Sequence, residues 1–192
     1  MCFDAAVPLA FPGAPDAEII DLERDWWKRL VRQIFEPWGP VESFDDYFTQ
    51  LFDYFARPDS WALYPEVLET LSVLRSRGLT LGVISNFDSR LIGILNGLGA
   101  GQWFDEVVIS SRAGHAKPDP RIFAPALAKH GLEPNRAAHI GDSEEKDLCG
   151  AKDAGLLGIL VDRRGEIPSG LGPRVRDLKE ILPLLDDRGT ES

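Results

Sequence analysis

From Leu79 onward, short apolar runs alternate with amphipathic stretches, a pattern that predicts βαβ units and a parallel sheet covered on both faces. Leu79 to Ser85 (LTLGVIS) reads as a buried strand. It is preceded by a helix over about Pro65 to Arg77 with Gly78 as its C-cap. A helix is expected from Asp88 to Leu98 and a second strand over Glu106 to Ser110. Asp119-Pro120 supplies an N-cap and a first helical residue for a helix over Arg121 to His130. Ala137 to Gly141 reads as the third strand, Ser143 as the cap of a helix from Glu144 to about Ala154, and Leu157 to Val161 as the fourth strand. Arg164 to Pro173 is rich in Gly and Pro and reads as loop, followed by a weak helical stretch through Leu185 and a polar tail expected to be disordered.

Residues before about Ser60 behave differently, because apolar positions recur there at helical spacing and no strand is evident. Leu22, Trp26, Leu30 and Ile34 form one stripe, and Phe44, Tyr47, Phe48, Leu51, Phe52 and Phe55 another, so the region predicts an antiparallel helix pair. The aromatic residues suit a core or a substrate-facing surface. No internal repeat and no low-complexity segment is present.

With 192 residues, 44% of them hydrophobic, one compact core with a modest appendage is expected. No apolar run is long enough to span a membrane and MCFDAAVPLAF lacks a basic flank, so the chain is expected to be cytoplasmic, with no membrane partner. Cys2 and Cys149 show no metal-binding spacing and read as reduced thiols. A formal charge of −10 without a basic cluster argues against a nucleic-acid partner.

Ligands of doubly wound sheets sit at the carboxyl ends of the strands, and three such ends carry chemistry. The first ends at Ser85-Asn86, a hydroxyl and an amide able to donate to an anionic oxygen. After the second, Lys117-Pro118-Asp119-Pro120 aims a lysine from a rigid loop, suited either to a phosphoryl group or to plain solvent. The third runs into Gly141-Asp142-Ser143-Glu144-Glu145-Lys146-Asp147, where Asp142 closes the strand and Asp147 lies in the first helical turn. Two carboxylates there suit Mg²⁺, which takes few protein oxygens and keeps several waters, and they equally suit the dipole of the helix.

ISN at Ile84–Asn86, KPDPRIF at Lys117–Phe123 and GDSEEKD at Gly141–Asp147 resemble, in order, the second, third and fourth motifs of the haloacid dehalogenase superfamily. ISNFDSRL and ERDWWKRL narrow the resemblance to one branch of it. The resemblance implies a Rossmann-like α/β core over residues 61–192, with a partial helical cap over residues 1–60. It also implies a phosphohydrolase acting on a small phosphorylated metabolite with Mg²⁺. In that reading Ser85 and Lys117 are catalytic, Asn86 touches substrate, and Asp142 and Asp147 serve the metal. The family reaction passes through an aspartyl-phosphate.

The family's first motif, which supplies the attacking aspartate from a central strand, is where the sequence departs. The N-terminal candidate is Phe3-Asp4-Ala5-Ala6-Val7-Pro8-Leu9, in which Val7 and Pro8 replace the motif's Gly and Thr and too few residues precede Asp4 for a strand. The expectation is a chain that begins inside the cap, lacks the nucleophile and is inactive as given. In the family's sheet order the missing strand lies between those of motifs two and four, so a gap of roughly 9–10 Å is expected between them. Two alternatives remain: a haloacid dehalogenase, which shares the lysine and serine but not the acidic fourth motif, and a non-catalytic binding or scaffold protein on the same fold.

Overall fold

In a computed structural model, which describes residues 7–167 and 170–186, the chain forms two compact units of α/β structure. No helix among the described residues is long and apolar enough to cross a membrane. Asp4 and the polar tail from residue 187 onward lie outside the described residues.

The first unit comprises residues 1–62, 85–102 and 109–116. Helices α1 (Asp16–Phe35) and α2 (Phe44–Tyr54) carry the two expected stripes. On α1 the buried line runs through Ile19, Glu23, Trp26 and Leu30; Trp26 and Leu30 fall on the predicted stripe, whereas Leu22 and Ile34 are only half-buried. A carboxylate on that line breaks the sequence pattern. It is tolerated because Glu23 Oε1 accepts from the Ser89 amide (3.0 Å), the Ser89 hydroxyl (2.8 Å) and the Ser111 hydroxyl (2.5 Å). The aromatic line of α2 divides: Phe48 is core, whereas Tyr47 and Phe55 are exposed. Trp27, Phe48, Phe52 and Phe87 border a cavity of about 360 Å³. Residues 7–9 are tied down by Trp26 Nε1 donating to the Val7 carbonyl (2.9 Å) and Ser110 Oγ donating to the Leu9 carbonyl (2.6 Å).

The second unit comprises residues 63–84, 103–108 and 117–192. Helix α3 (Val67–Ser76) leads into strand β1 (Gly82–Ser85), which pairs with β2 (Glu106–Ile109). Helix α4 (Arg90–Gly97) and the single turn α5 (Ser110–Ala113) belong to the first unit. In the second, a 3₁₀ turn (Pro120–Phe123) and α6 (Ala124–His130) precede β3 (Ala138–Gly141). A π-helical stretch (Glu144–Cys149) runs into α7 (Gly150–Asp153), followed by β4 (Leu157–Val161), β5 (Arg174–Val175) and α8 (Ile181–Asp186). β3 pairs in parallel with β4, Ala138 opposite Leu157 and Gly141 opposite Leu160, and β4 pairs in parallel with β5. Leu74, Ile159, Val161, Val175 and Ile181 form the core on one face.

Three expectations are corrected. Ser110 opens a helical turn instead of ending β2, because its hydroxyl is drawn to the Leu9 carbonyl. The segment read as loop through Pro173 and weak helix beyond it contains β5, since Asp162 N donates to the Val175 carbonyl (2.8 Å) and completes a third strand. The helix expected over 144–154 begins as a π-helix, for a reason that lies in the site.

Among the described residues the strands form two separate sheets, β1-β2 and β3-β4-β5, with no ladder between β1 and β3. β4 is buried along nearly its whole length, whereas every residue of β3 is only half-buried and β1 begins exposed. A parallel sheet covered by helices buries its middle strands most deeply, so the exposure falls on the wrong strands for a closed sheet.

Candidate active site

The carboxyl end of β3 holds a buried polar cluster. Asp147 comes back towards this end because the π turn carries it there: both its own amide (2.9 Å) and that of Leu148 (3.2 Å) donate to the Ser143 carbonyl. The cap expected at Ser143 is present, its hydroxyl accepting from Lys146 N (3.2 Å). Leu148, fully buried, anchors the turn in the core.

Asp147 is 3% exposed, and its oxygens are engaged on three sides. Lys117 Nζ donates to Oδ1 at 2.6 Å, His139 Nε2 lies 2.8 Å from the same oxygen, and Ser143 N donates to Oδ2 at 2.9 Å. Burial by itself raises the pKa of this carboxyl. The bonds from His139, Lys117 and Ser143 more than offset that and hold it well below the usual carboxylate range. The group is therefore an anion at neutral pH, with His139 Nε2 beside it.

The approach is close enough to require glycine at 141. A Cβ built there would stand 2.1 Å from Asp147 Cγ and 2.5 Å from Oδ2. Gly150 does the same for the lysine loop: a Cβ there would stand 3.0 Å from Pro118 Cα, so the start of α7 lies directly on the residue after Lys117. Asp119 caps the following turn as expected, accepting from Arg121 N (3.0 Å). Lys117 Nζ also donates to the Ile84 carbonyl in β1 (2.9 Å), so one ammonium links the carboxyl end of β1 to the carboxylate at β3.

Of the sequence-predicted residues, Lys117 and Asp147 are brought into contact, and Asp142 stands exposed immediately after Gly141. Ser85 is the last residue of β1, directly after Ile84, and with Asn86 it belongs to the first unit. His139 and Gly141 were not singled out from the sequence. The signal was there: two residues apart on a strand, they share the face on which Asp147 lies. The sequence also holds a DxxGT string at Asp186–Thr190, but the apolar run before it is helix α8, not a strand end, and residues 187–192 are outside the described region.

Among the described residues no three His, Cys, Asp or Glu side chains gather tightly enough to hold a metal by themselves. The donor chemistry nevertheless suits Mg²⁺, which needs only one or two carboxylates beside water and substrate oxygens. Asp142 offers an exposed carboxylate, and Asp147 is a buried one whose charge Lys117 balances.

A second cluster, in the first unit, is built on Asp88, which is fully buried. Trp27 Nε1 donates to Oδ2 (2.5 Å), and Arg90 donates to Asp88 from its amide (2.9 Å), from Nε (2.9 Å) and from its terminal nitrogen (2.5 Å). Arg90 also donates to the Phe52 carbonyl (2.9 Å) and stacks 3.8 Å above the Phe52 ring centroid. The string ISNFDSRL is thus tied to DWW by the hydrogen bond from Trp27 to Asp88, whose ion pair with Arg90 lies within the first string.

A family model described as haloacid dehalogenase-like hydrolase matches residues 12–155. The haloacid dehalogenase-like hydrolase domain-containing protein 3 of Homo sapiens is 41% identical over 175 residues, which cover 85% of this chain and 68% of that protein. The phosphoserine phosphatase of Thermus thermophilus is 39% identical over 159 residues, covering 81% of this chain and 63% of the relative. The crystal structure of a haloacid-dehalogenase-type phosphatase from Thermococcus onnurineus matches with a TM-score of 0.68 at 25% identity, over 88% of this chain and 91% of that one. With the ordered motifs, the Lys117–Asp147 pair at the end of β3 and these likenesses in agreement, the chain belongs to the haloacid dehalogenase-like hydrolases.

Proposed function

We propose that this is a Mg²⁺-dependent phosphohydrolase of small phosphorylated metabolites, and that residues 1–192 alone do not turn over substrate. The observation that carries the reading is the Lys117–Asp147 pair beside the exposed Asp142, a cation and two carboxylates at one strand end. The ammonium is fixed from two sides and neutralises phosphoryl charge without having to reorganise during reaction. Ser85 donates a hydrogen bond to a phosphoryl oxygen, and Asn86 contacts substrate beside it. When bound, Mg²⁺ screens charge on the phosphoryl oxygens. Asp142 holds the ion and Asp147 orients its shell. The phosphatases named among the relatives agree with a phosphate monoester as substrate. The acidic stretch from Asp142 to Asp147 favours this over dehalogenation, which uses no metal.

The scheme also needs a carboxylate that attacks phosphorus, and the family's first motif, which would bring it, is not recognisable in the sequence. Lys117 and Mg²⁺ stabilise charge but form no bond to phosphorus. Turnover of para-nitrophenyl phosphate by residues 1–192 is expected to be at background with or without Mg²⁺. A version extended upstream of Met1 is expected to hydrolyse it with Mg²⁺ and to lose that activity in Lys117→Ala and Asp142→Asn. Metal-dependent turnover by residues 1–192 that survives Asp4→Asn would overturn the scheme.

A further inference from the structure

We propose that His139 is a positioning residue of this site: its ring donates from Nε2 to Asp147 Oδ1 and thereby fixes where the Lys117 ammonium stands. The inference deepens the proposed function, because it rests on Lys117 being the cation that meets the phosphoryl group.

Three observations carry it. The first is how the carboxylate shares its partners. Asp147 Oδ1 takes two of them, Lys117 Nζ at 2.6 Å and His139 Nε2 at 2.8 Å, whereas Oδ2 takes the Ser143 amide at 2.9 Å. A carboxylate oxygen has two lone-pair directions. With the ring on one of those of Oδ1, the ammonium is left the other, and from there it also donates to the Ile84 carbonyl at 2.9 Å. Without the ring, Lys117 and Ser143 would still hold one oxygen each, but the ammonium would be free to slide between the two directions.

The second observation is that the ring is itself held. His139 lies on β3 opposite Gly158 of β4, its side chain is 11% exposed, and it meets the fully buried Phe123 edge to face with centroids 5.1 Å apart. A donor fixed in this way loses little freedom on bonding, unlike the long stem of a lysine. The third is that Asp147 is held ionised and an ionised carboxylate only accepts, so the contact requires a hydrogen on Nε2. The charged ring and one of the two neutral tautomers both meet that requirement, so the role does not depend on the charge of the ring.

The test is the rate at which N-hydroxysuccinimidyl acetate acetylates Lys117, read by mass spectrometry on residues 1–192. His139→Phe keeps a ring against Phe123 and removes the N–H, while His139→Gln keeps an N–H at nearly the same reach. Loss of one hydrogen bond to a charged group is expected to speed acetylation about tenfold in His139→Phe. The parent rate is expected to return in His139→Gln, with hydrogen exchange across Leu157–Val161 unchanged in both variants. Equal rates in all three proteins, or equally fast rates in both variants, overturn the role. So does a rise in acetylation matched by faster exchange in β4, which would make His139 a packing residue only. Should His139→Phe not fold, the parent decides: proton–nitrogen correlation spectra are expected to show a hydrogen on Nε2 of His139, and a ring with its hydrogen on Nδ1 alone overturns the donation. Inorganic phosphate with Mg²⁺ probes the reading beneath. If it leaves the acetylation of Lys117 in the parent unchanged, Lys117 is not a phosphoryl-binding cation, and the position of its ammonium is still decided by the His139 variants.

Discussion

Replacing Gly141 by alanine probes the site where its packing is tightest. The new methyl carbon would lie 2.1 Å from Asp147 Cγ and 2.6 Å from its Cβ, far inside van der Waals contact, so one of the two residues must move. If β3 shifts, the cost is that of overpacking, about 1–3 kcal/mol. If Asp147 swings out, it leaves Lys117, His139 and the Ser143 amide, and breaking a buried pair costs about 3–5 kcal/mol. Alanine also stiffens the unfolded chain, which returns about 0.4–1 kcal/mol. The net expectation is a loss of about 2–4 kcal/mol in urea unfolding, and a melting temperature lower by on the order of 10 °C for a chain of this length. The clash is isolated with Asp147→Gly, which removes the three atoms nearest the methyl. In that background Gly141→Ala is expected to cost less than about 1 kcal/mol, so the double-mutant cycle shows strong coupling. Equal costs in the two backgrounds, or a Gly141→Ala protein that melts with the parent, would refute the account of why residue 141 is glycine.

Two further predictions rest on buried carboxylates. Asp88→Asn leaves Arg90 without its counter-ion and sets an amide against the Trp27 N–H, so a loss of about 3–5 kcal/mol is expected in urea unfolding, and a loss below about 1 kcal/mol would show that the cluster is dispensable. Asp162 is pushed up by burial but held below the ordinary range by the amides of Ile167, Glu166 and Gly165 and by Arg174. Because its folded pKa is the lower one, its contribution is complete above the unfolded value of about 3.9 and is lost as pH falls through the folded pKa. The acid limb of stability below about pH 5 is therefore expected to be shallower in Asp162→Asn, and an unchanged slope would remove Asp162 from that role.

Much of the second unit could be read from alternation alone. EVVI, AHIG and LGILV are each strands, and the caps at Asp119 and Ser143 fall where Asp-Pro and Ser-Glu-Glu place them. Lys117 and Asp147 were legible as candidates but not as a pair, because 30 residues of chain separate them and only the fold closes that distance. Glu23 and Asp88 were illegible as buried groups. A charged residue on an apolar stripe reads as a phase error until its partners, Ser89 and Ser111 or Trp27 and Arg90, arrive from distant segments. The two-residue strand β5 was hidden because it owes its existence to the open edge of β4, not to any propensity of Arg174-Val175.

The π turn after Ser143 bears on how relatives are to be aligned. A π turn is an α-helix with one residue inserted, and successive helical residues are about 100° apart around the axis. The extra residue is absorbed between the Ser143 cap and the buried Leu148, so the helix beyond resumes its phase with Ala151 still in the core. A relative with an ordinary helix here would be one residue shorter between the two anchors, and its acidic side chain would leave the arc facing the lysine although every packing residue still matched. A single-residue gap across 144–149 in such an alignment thus marks a change in the site, even where the flanking sequence is conserved in register.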